Sequence, residues 1–370
     1  METSRVVDAD SHIEEVPEIW DYLDPRYQSR RPFPITVEKP VEFTNLNALW
    51  YVDGNVYPKL IGQGSMVFAT PLTSDYARAK MFSLGSQGLT DVEARLRDMD
   101  AAGVDVQVIF PTLFLATLTD DVAFETALMQ AYNSYLAKAC GQRPDRLKWA
   151  ALLPLRAAEE AVREVRRAKE LGAVGVATLG TAGEMLLSHP SLHRVYEEME
   201  RLDLPLCVHV GWSHPGLNKS CDNTYTSRIS FTLPVLAAFW AIVGGGVLDA
   251  FPRLRVAFLE AGSEWLPYWV GRMNHYYHSD TENQRGGYMP KKRPSDYLSE
   301  GRIYFTCEAE EPLLPQVIEL LGEDHMMTSA DMPHGEARER SMDVIRQRKD
   351  IPDRVKTKML GENAARFYKL

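Results

Sequence analysis

Cysteine is scarce in this chain. There are four in 370 residues (Cys140, Cys207, Cys221 and Cys307), with no CxxC pair and no zinc-finger spacing. A disulfide framework and a thiolate metal cage are therefore not expected. The pattern reads as reduced, mostly buried thiols of a cytoplasmic protein. Positive charge is also short: 41 Lys and Arg face 51 Asp and Glu, a formal net charge of −10. Neutralising phosphates needs a basic surface, so nucleic acid is not an expected partner. No run approaches the roughly 20 apolar residues that span a bilayer. The longest candidate, 233–248, is interrupted by Gly244-Gly245-Gly246, so no membrane is expected either. The polar start, Met1 to Arg5, leads straight into a strand-like run and does not read as a leader peptide. Short-period repeats and low-complexity tracts are missing as well.

What is present is an alternation. Short apolar runs at 5–10, 104–110, 147–153, 173–178, 205–210, 254–259, 302–306 and 325–329 are separated by longer segments of helical period. Most runs are apolar along their whole length, as strands covered on both faces are. Helical patterns fall at 91–102, 126–140, 157–171, 192–202, 311–321 and 352–370, several of them closed by a glycine. Eight strands alternating with helices predict an α/β fold, a (β/α)8 TIM barrel forming one domain over 1–370.

Residues 25–90 break the repeat. A structureless loop of that length is improbable in a compact domain, so an insertion subdomain after the first strand is expected, partly a lid. Its aromatic residues Phe33, Phe43, Trp50, Tyr51, Tyr57, Phe68 and Tyr76 would fill its own small core for the most part, with a few facing an apolar pocket. Two further loops are expected at 212–226 and 278–294.

Barrel enzymes carry their chemistry where strands end, on one face. The first strand ends Asp8-Ala9-Asp10-Ser11-His12, with the three polar residues alternating and so pointing to one side of an extended chain. Two carboxylates and an imidazole are costly to desolvate together unless a cation compensates them. A solvated strand exit explains that motif equally well. The fifth strand ends in His209, which alone reads as a core histidine, and His214 follows in the loop. The sixth ends in Glu260, and Asp331 follows the eighth, where a helix cap is the bland alternative. Taken together, four strand ends carry a ligand or acid–base group. With no cysteine among them, they make a nitrogen and oxygen site for Zn, Fe or Mn.

The chain resembles the amidohydrolase-2 family, the branch of the metal-dependent amidohydrolases that includes aminocarboxymuconate semialdehyde decarboxylase and the resorcylate-type decarboxylases. The resemblance is carried by Asp8–Glu14, Met99–Asp105, Leu206–Gly211, Phe251–Val256, Ser329–His334 and Glu362–Arg366. It implies Asp10, His12, His209 and Asp331 as metal ligands, with Asp331 also taking a proton from bound water in hydrolytic members. Decarboxylase members carry a histidine after strand six as proton donor. Here Glu260 holds that place, which opens a second metal position with Asp8 or His214.

The leading expectation is hydrolysis of an ester, thioester or amide of a small carboxylated or cyclic molecule. Its cofactor is a divalent metal, zinc by default, at one or two ions per chain. Asp331 is the expected general base, with Glu260 and His214 as further acids or substrate contacts. Non-oxidative decarboxylation of a small carboxylic acid, with Glu260 as the acid, is the alternative. A catalytically inactive binding barrel is the third reading. A homodimer is expected through the segment near Asn274 and Tyr276.

Overall fold

The computed structural model describes residues 5–37, 46–282, 288–334 and 340–370. Eight parallel strands form the central sheet: β1 (Val7–His12), β2 (Val106–Phe110), β3 (Leu147–Leu152), β4 (Gly175–Leu179), β5 (Leu206–His209), β6 (Val256–Leu259), β7 (Ile303–Cys307) and β8 (Met326–Thr328). They pair in sequence order, each with the next. All eight lie at the expected apolar runs, and every residue of β1, β2, β5, β6, β7 and β8 is buried.

Hydrogen bonds bring the first and last strand ends together. The N–H of Asp331 donates to the Asp10 carbonyl at 3.2 Å, and the N–H of His12 donates to the Met332 carbonyl at 2.6 Å. Ser329 Oγ also donates to the Asp10 carbonyl, at 2.7 Å. The sheet is thereby curled into a nearly closed barrel with the ends of β1 and β8 at one mouth.

The helices cover the sheet where glycine and capping residues stop them. Val92–Ala101 begins at an Asp91 cap that accepts from Ala94 N–H. Val122–Cys140 begins at Asp121, whose carboxylate accepts from Ala123 and Phe124. The periodicity did not reveal Ser227–Gly244, an 18-residue helix of mean hydropathy 1.5. Its sequence is apolar on nearly every face, so no polar stripe marks the period. Phe231, Val235, Phe239 and Ile242 from this helix are buried in the core. It starts directly after the expected loop 212–226, which itself holds a short helix, Pro215–Lys219. Likewise helix Leu266–Glu282 occupies the start of the expected 278–294 loop, of which 283–287 fall outside the described residues.

In the insertion, Phe33–Thr36, Ala48–Val52 and Asn55–Tyr57 form a three-stranded antiparallel sheet. Trp50 and Tyr57 are buried beneath it, while Phe33 and Tyr51 are exposed. Phe43 lies outside the described residues.

Candidate metal centre

Asp10 and His12 owe their direction to an irregularity in β1. Val7 and Asp8 pair with Val106 and Gln107, but Ser11 and His12 pair with Ile109 and Phe110, so β1 carries one extra residue between Asp8 and Ser11. That bulge breaks the simple alternation, and Asp8 parts company with the other two. Its carboxylate accepts from Ser11 Oγ, from Gln107 Nε2 at 3.0 Å and from the Ala330 N–H at 2.9 Å. Burial pushes its pKa up to about 6 against those donors. Asp8 is thus a strut between β1, β2 and the exit of β8, and the expected ligand role does not fit it.

His12 and His209 are both prepared as ligands. His12 Nδ1 lies 2.8 Å from the Pro111 carbonyl and His209 Nδ1 lies 2.9 Å from the Val210 carbonyl. A carbonyl only accepts, so each ring donates from Nδ1 and leaves the Nε2 lone pair for something else. Those lone pairs converge on carboxylates. His12 Nε2 is 3.5 Å from Asp10 Oδ1 and 3.4 Å from Asp331 Oδ1. His209 Nε2 is 3.5 Å from Asp10 Oδ2 and 3.2 Å from Glu260 Oε2. Asp10 Oδ1, His12 Nε2 and His209 Nε2 are sealed from solvent and make no hydrogen bond. Leaving such atoms unmatched costs about 1–3 kcal/mol each. A cation at their meeting point would satisfy all three.

The ligand atoms fall into two groups that share His12: Asp10, His12, His209 and Glu260 in one, His12, Asp331 and His334 in the other. No cysteine belongs to either. Electrostatics point the same way. Burial holds the His12 pKa well below its ordinary value, with His334 adding to the effect, so the ring stays neutral. Burial also pulls His209 down, but Asp10 and Glu260 outweigh it and hold its pKa up at about 9. A proton there does part of the work a metal ion would do, and metal binding would displace it.

Glu260 and Asp331 sit at the two strand exits with φ of 56° and 54°, the left-handed region that ordinary side chains avoid. Such backbone persists where surroundings enforce it, and it gathers at functional sites. The Glu260 N–H donates to Thr306 Oγ1 at 2.8 Å, and the seam bond to Asp10 fixes Asp331.

Two residues without an assigned role in the sequence belong to this centre. His334 stacks on His12 with ring centroids 4.2 Å apart, and its Nδ1 is 3.1 Å from Asp331 Oδ1. The Thr112 hydroxyl donates to the Ile13 carbonyl, so it accepts from His334 Nε2 at 2.6 Å. The Asp-x-Pro-His spacing was the available signal. Arg95 is fully buried and donates to the carbonyls of His12 and Met332 at 3.0 and 3.1 Å and to Gln107 Oε1 at 2.8 Å. Nothing in an amphipathic helix of mixed charge marks that arginine as internal. His214, in contrast, stands apart from both groups. Its Nδ1 accepts from the Leu217 N–H at 3.2 Å and caps the short helix 215–219, which leaves the expected catalytic role without geometric support.

Glu260, Asp331 and His334 line a cavity of about 730 Å³. Phe68, Phe231, Arg228, Glu14 and Lys80 line the same cavity. Of the insertion's aromatic residues, Phe68 and Tyr76 face this space.

Residues 48–370 match the family model described as amidohydrolase. Among curated proteins, the chain is similar to a 2-amino-3-carboxymuconate-6-semialdehyde decarboxylase of Dictyostelium discoideum, 24% identical over 76% of this chain and 77% of that one. It is also similar to a gamma-resorcylate decarboxylase of Rhodococcus jostii, 26% identical over 66% and 78%. Among solved structures, an amidohydrolase from Mycobacterium avium subsp. paratuberculosis superposes with a TM-score of 0.77 at 18% identity, covering 100% of this chain and 99% of that one. A 5-carboxyvanillate decarboxylase from Novosphingobium aromaticivorans, complexed with manganese and 4-hydroxy-3-methoxy-5-nitrobenzoic acid, gives 0.70 at 20% identity over 99% and 96%. These structural likenesses establish the barrel fold. The curated relatives correct the leading expectation: their named reaction is loss of CO2, not hydrolysis of an ester, thioester or amide.

Proposed function

This chain belongs to the amidohydrolase family, and on that premise we propose that it is a metal-dependent, non-oxidative decarboxylase of a small carboxylic acid. Asp10, His12, His209 and Asp331 would hold one divalent ion. The observation that carries the metal reading is the buried, unmatched convergence of Asp10 Oδ1 with two Nε2 atoms whose Nδ1 partners are already fixed. The curated relatives favour decarboxylation over other chemistry of such a centre. Manganese, bound in two of the similar decarboxylase structures, is the ion to try first.

When bound, the ion supplies Lewis-acid stabilisation of negative charge on substrate oxygens. The protein's own groups do the rest. As the carbon–carboxylate bond breaks, its electron pair remains on the carbon that is losing CO2. That carbon then takes a proton from Glu260, which must carry it as a carboxylic acid at that step and stands on the cavity wall beside His209. His334, held by Thr112, orients the Asp331 carboxylate. Phe68 and Phe231 stack with centroids 5.4 Å apart and give an apolar wall for a ring. Residues 60–80 of the insertion contribute to that wall and act as its cover.

The test is CO2 release by chain stripped with a chelator and reloaded with Mn, Zn or Fe, using 2,6-dihydroxybenzoate, 5-carboxyvanillate and aminocarboxymuconate semialdehyde. Metal-restored CO2 release from at least one is expected. Silence with all three after verified metal loading contradicts the reading.

A further inference from the structure

The cavity over the metal centre contains a cation that nothing in the surrounding described residues neutralises. Arg228 lies in the first turn of helix Ser227–Gly244 and lines the same space as Glu260, Asp331 and His334. Its guanidinium carbon is 5.4 Å from the Phe68 ring centroid and 5.9 Å from that of Phe231. Among the described residues, no carboxylate pairs with its side chain. The other lysine or arginine at this cavity, Lys80, is already bound to Glu14 Oε1 at 2.5 Å, and both are largely buried. Among the described residues, Lys80 is therefore neutralised and Arg228 is not.

The position of that charge is informative. Phe68 lies near both Arg228 and His334, with ring centroids of Phe68 and His334 5.5 Å apart, and His334 in turn stacks on His12. The cation and the ligand cluster thus border the same aromatic side chain and the same cavity. A flat substrate lying along Phe68 and Phe231 would reach both. With its departing carboxylate at the proposed metal ligands, such a substrate would leave a second group within reach of the guanidinium.

We propose that Arg228 is the specificity residue of this site and that it anchors a second acidic group, which makes the substrate class a dianionic aromatic acid. The inference rests on the decarboxylase reading for which carboxylate leaves, but the anion anchor is a binding property and is testable without turnover. A planar guanidinium packed on rings presents its N–H donors edge-on in a fork that matches a carboxylate. Replacing a charge-assisted contact of that kind changes affinity by about tenfold to a hundredfold.

The experiment is calorimetric titration of the metal-loaded full chain with benzene-1,3-dicarboxylate and with benzoate, for wild type, Arg228→Gln and Arg228→Lys. Wild type is expected to favour the dicarboxylate by about tenfold to a hundredfold. Arg228→Gln should lose that preference with benzoate affinity little changed, and Arg228→Lys should keep part of it. The side chain is exposed and has no ion-pair partner among the described residues, so both variants should unfold at the wild-type temperature. An unchanged preference in Arg228→Gln overturns the proposal, as does a wild type that fails to distinguish the ligands or binds neither. Absence of CO2 release with the preference intact would instead fail the decarboxylase reading alone.

Discussion

The Asp331 N–H donates to the Asp10 carbonyl across the barrel seam at 3.2 Å. This bond ties together two carboxylates that lie 321 residues apart in the chain and sets the ends of β1 and β8 in one register. Arg95 spans the same seam from behind, holding the carbonyls of His12 and Met332. The proposed metal ligands at this seam are therefore carried by backbone that a remote, fully buried arginine clamps.

Arg95→Met keeps the side chain's bulk and removes the clamp. The His12 carbonyl and Gln107 Oε1 each lose a donor inside the core. A loss of about 2–4 kcal/mol of stability is expected, together with weaker metal binding. Denaturant unfolding with and without metal checks both parts; wild-type values in each would remove Arg95 from the account.

His209→Ala should lower the metal content from about one ion per chain to below about a tenth. Because His209 is held protonated up to about pH 9 by Asp10 and Glu260, metal binding near pH 7.5 should release about one proton in wild type. Calorimetry in buffers of different ionisation enthalpy measures that proton. Binding without proton release would contradict the electrostatic description of the cluster.

Glu260→Gln preserves shape and removes the exchangeable acid. A fall in kcat of roughly 10²–10⁴ per metal-loaded chain is expected. Metal analysis beside steady-state kinetics separates that fall from any loss of metal. Wild-type kcat would exclude Glu260 as the proton donor.

The barrel strands were legible because each is a short apolar run between glycine-closed helices, and the whole set matched the fold. The proposed ligand set was suggested for a different reason: Asp10, His12, His209 and Asp331 each stand where a strand meets the mouth. Two failures have local causes. The bulge between Asp8 and Ser11 broke the alternation that placed Asp8 in the site, and no sequence pattern announces a bulge. His214 follows a strand just as Asp331 does, but it is spent on a helix cap. Helix Ser227–Gly244 escaped because an almost uniformly apolar segment has no period to detect. Arg95 was hidden by its type, since arginine on a helix is ordinarily solvated.

Glu15 gives a prediction about pH. Its carboxyl is buried and its pKa is pushed up to about 8, chiefly by desolvation, although the N–H groups of Thr112 and Leu113 oppose the shift. The folded pKa lies above the unfolded one, so the folded chain holds a proton that the unfolded chain releases between about pH 4.5 and 8. This contribution is complete below about pH 4.5 and is lost as pH rises through about 8. Glu15→Gln should flatten the decline by an amount on the order of a few kcal/mol. Unfolding curves of both proteins at saturating metal, from pH 5 to 9, test the sign; parallel curves would show that Glu15 does not titrate there.

The central claim is that this metal centre removes CO2 and returns a proton to carbon. The most direct measurement follows the Mn-loaded chain in heavy water with 2,6-dihydroxybenzoate or 5-carboxyvanillate, quantifying gas and product by mass spectrometry. The account predicts one CO2 per product molecule, with one deuterium at the carbon that lost the carboxylate, and no reaction after chelation. Product without CO2, carrying oxygen from solvent, would contradict it and return the centre to hydrolysis.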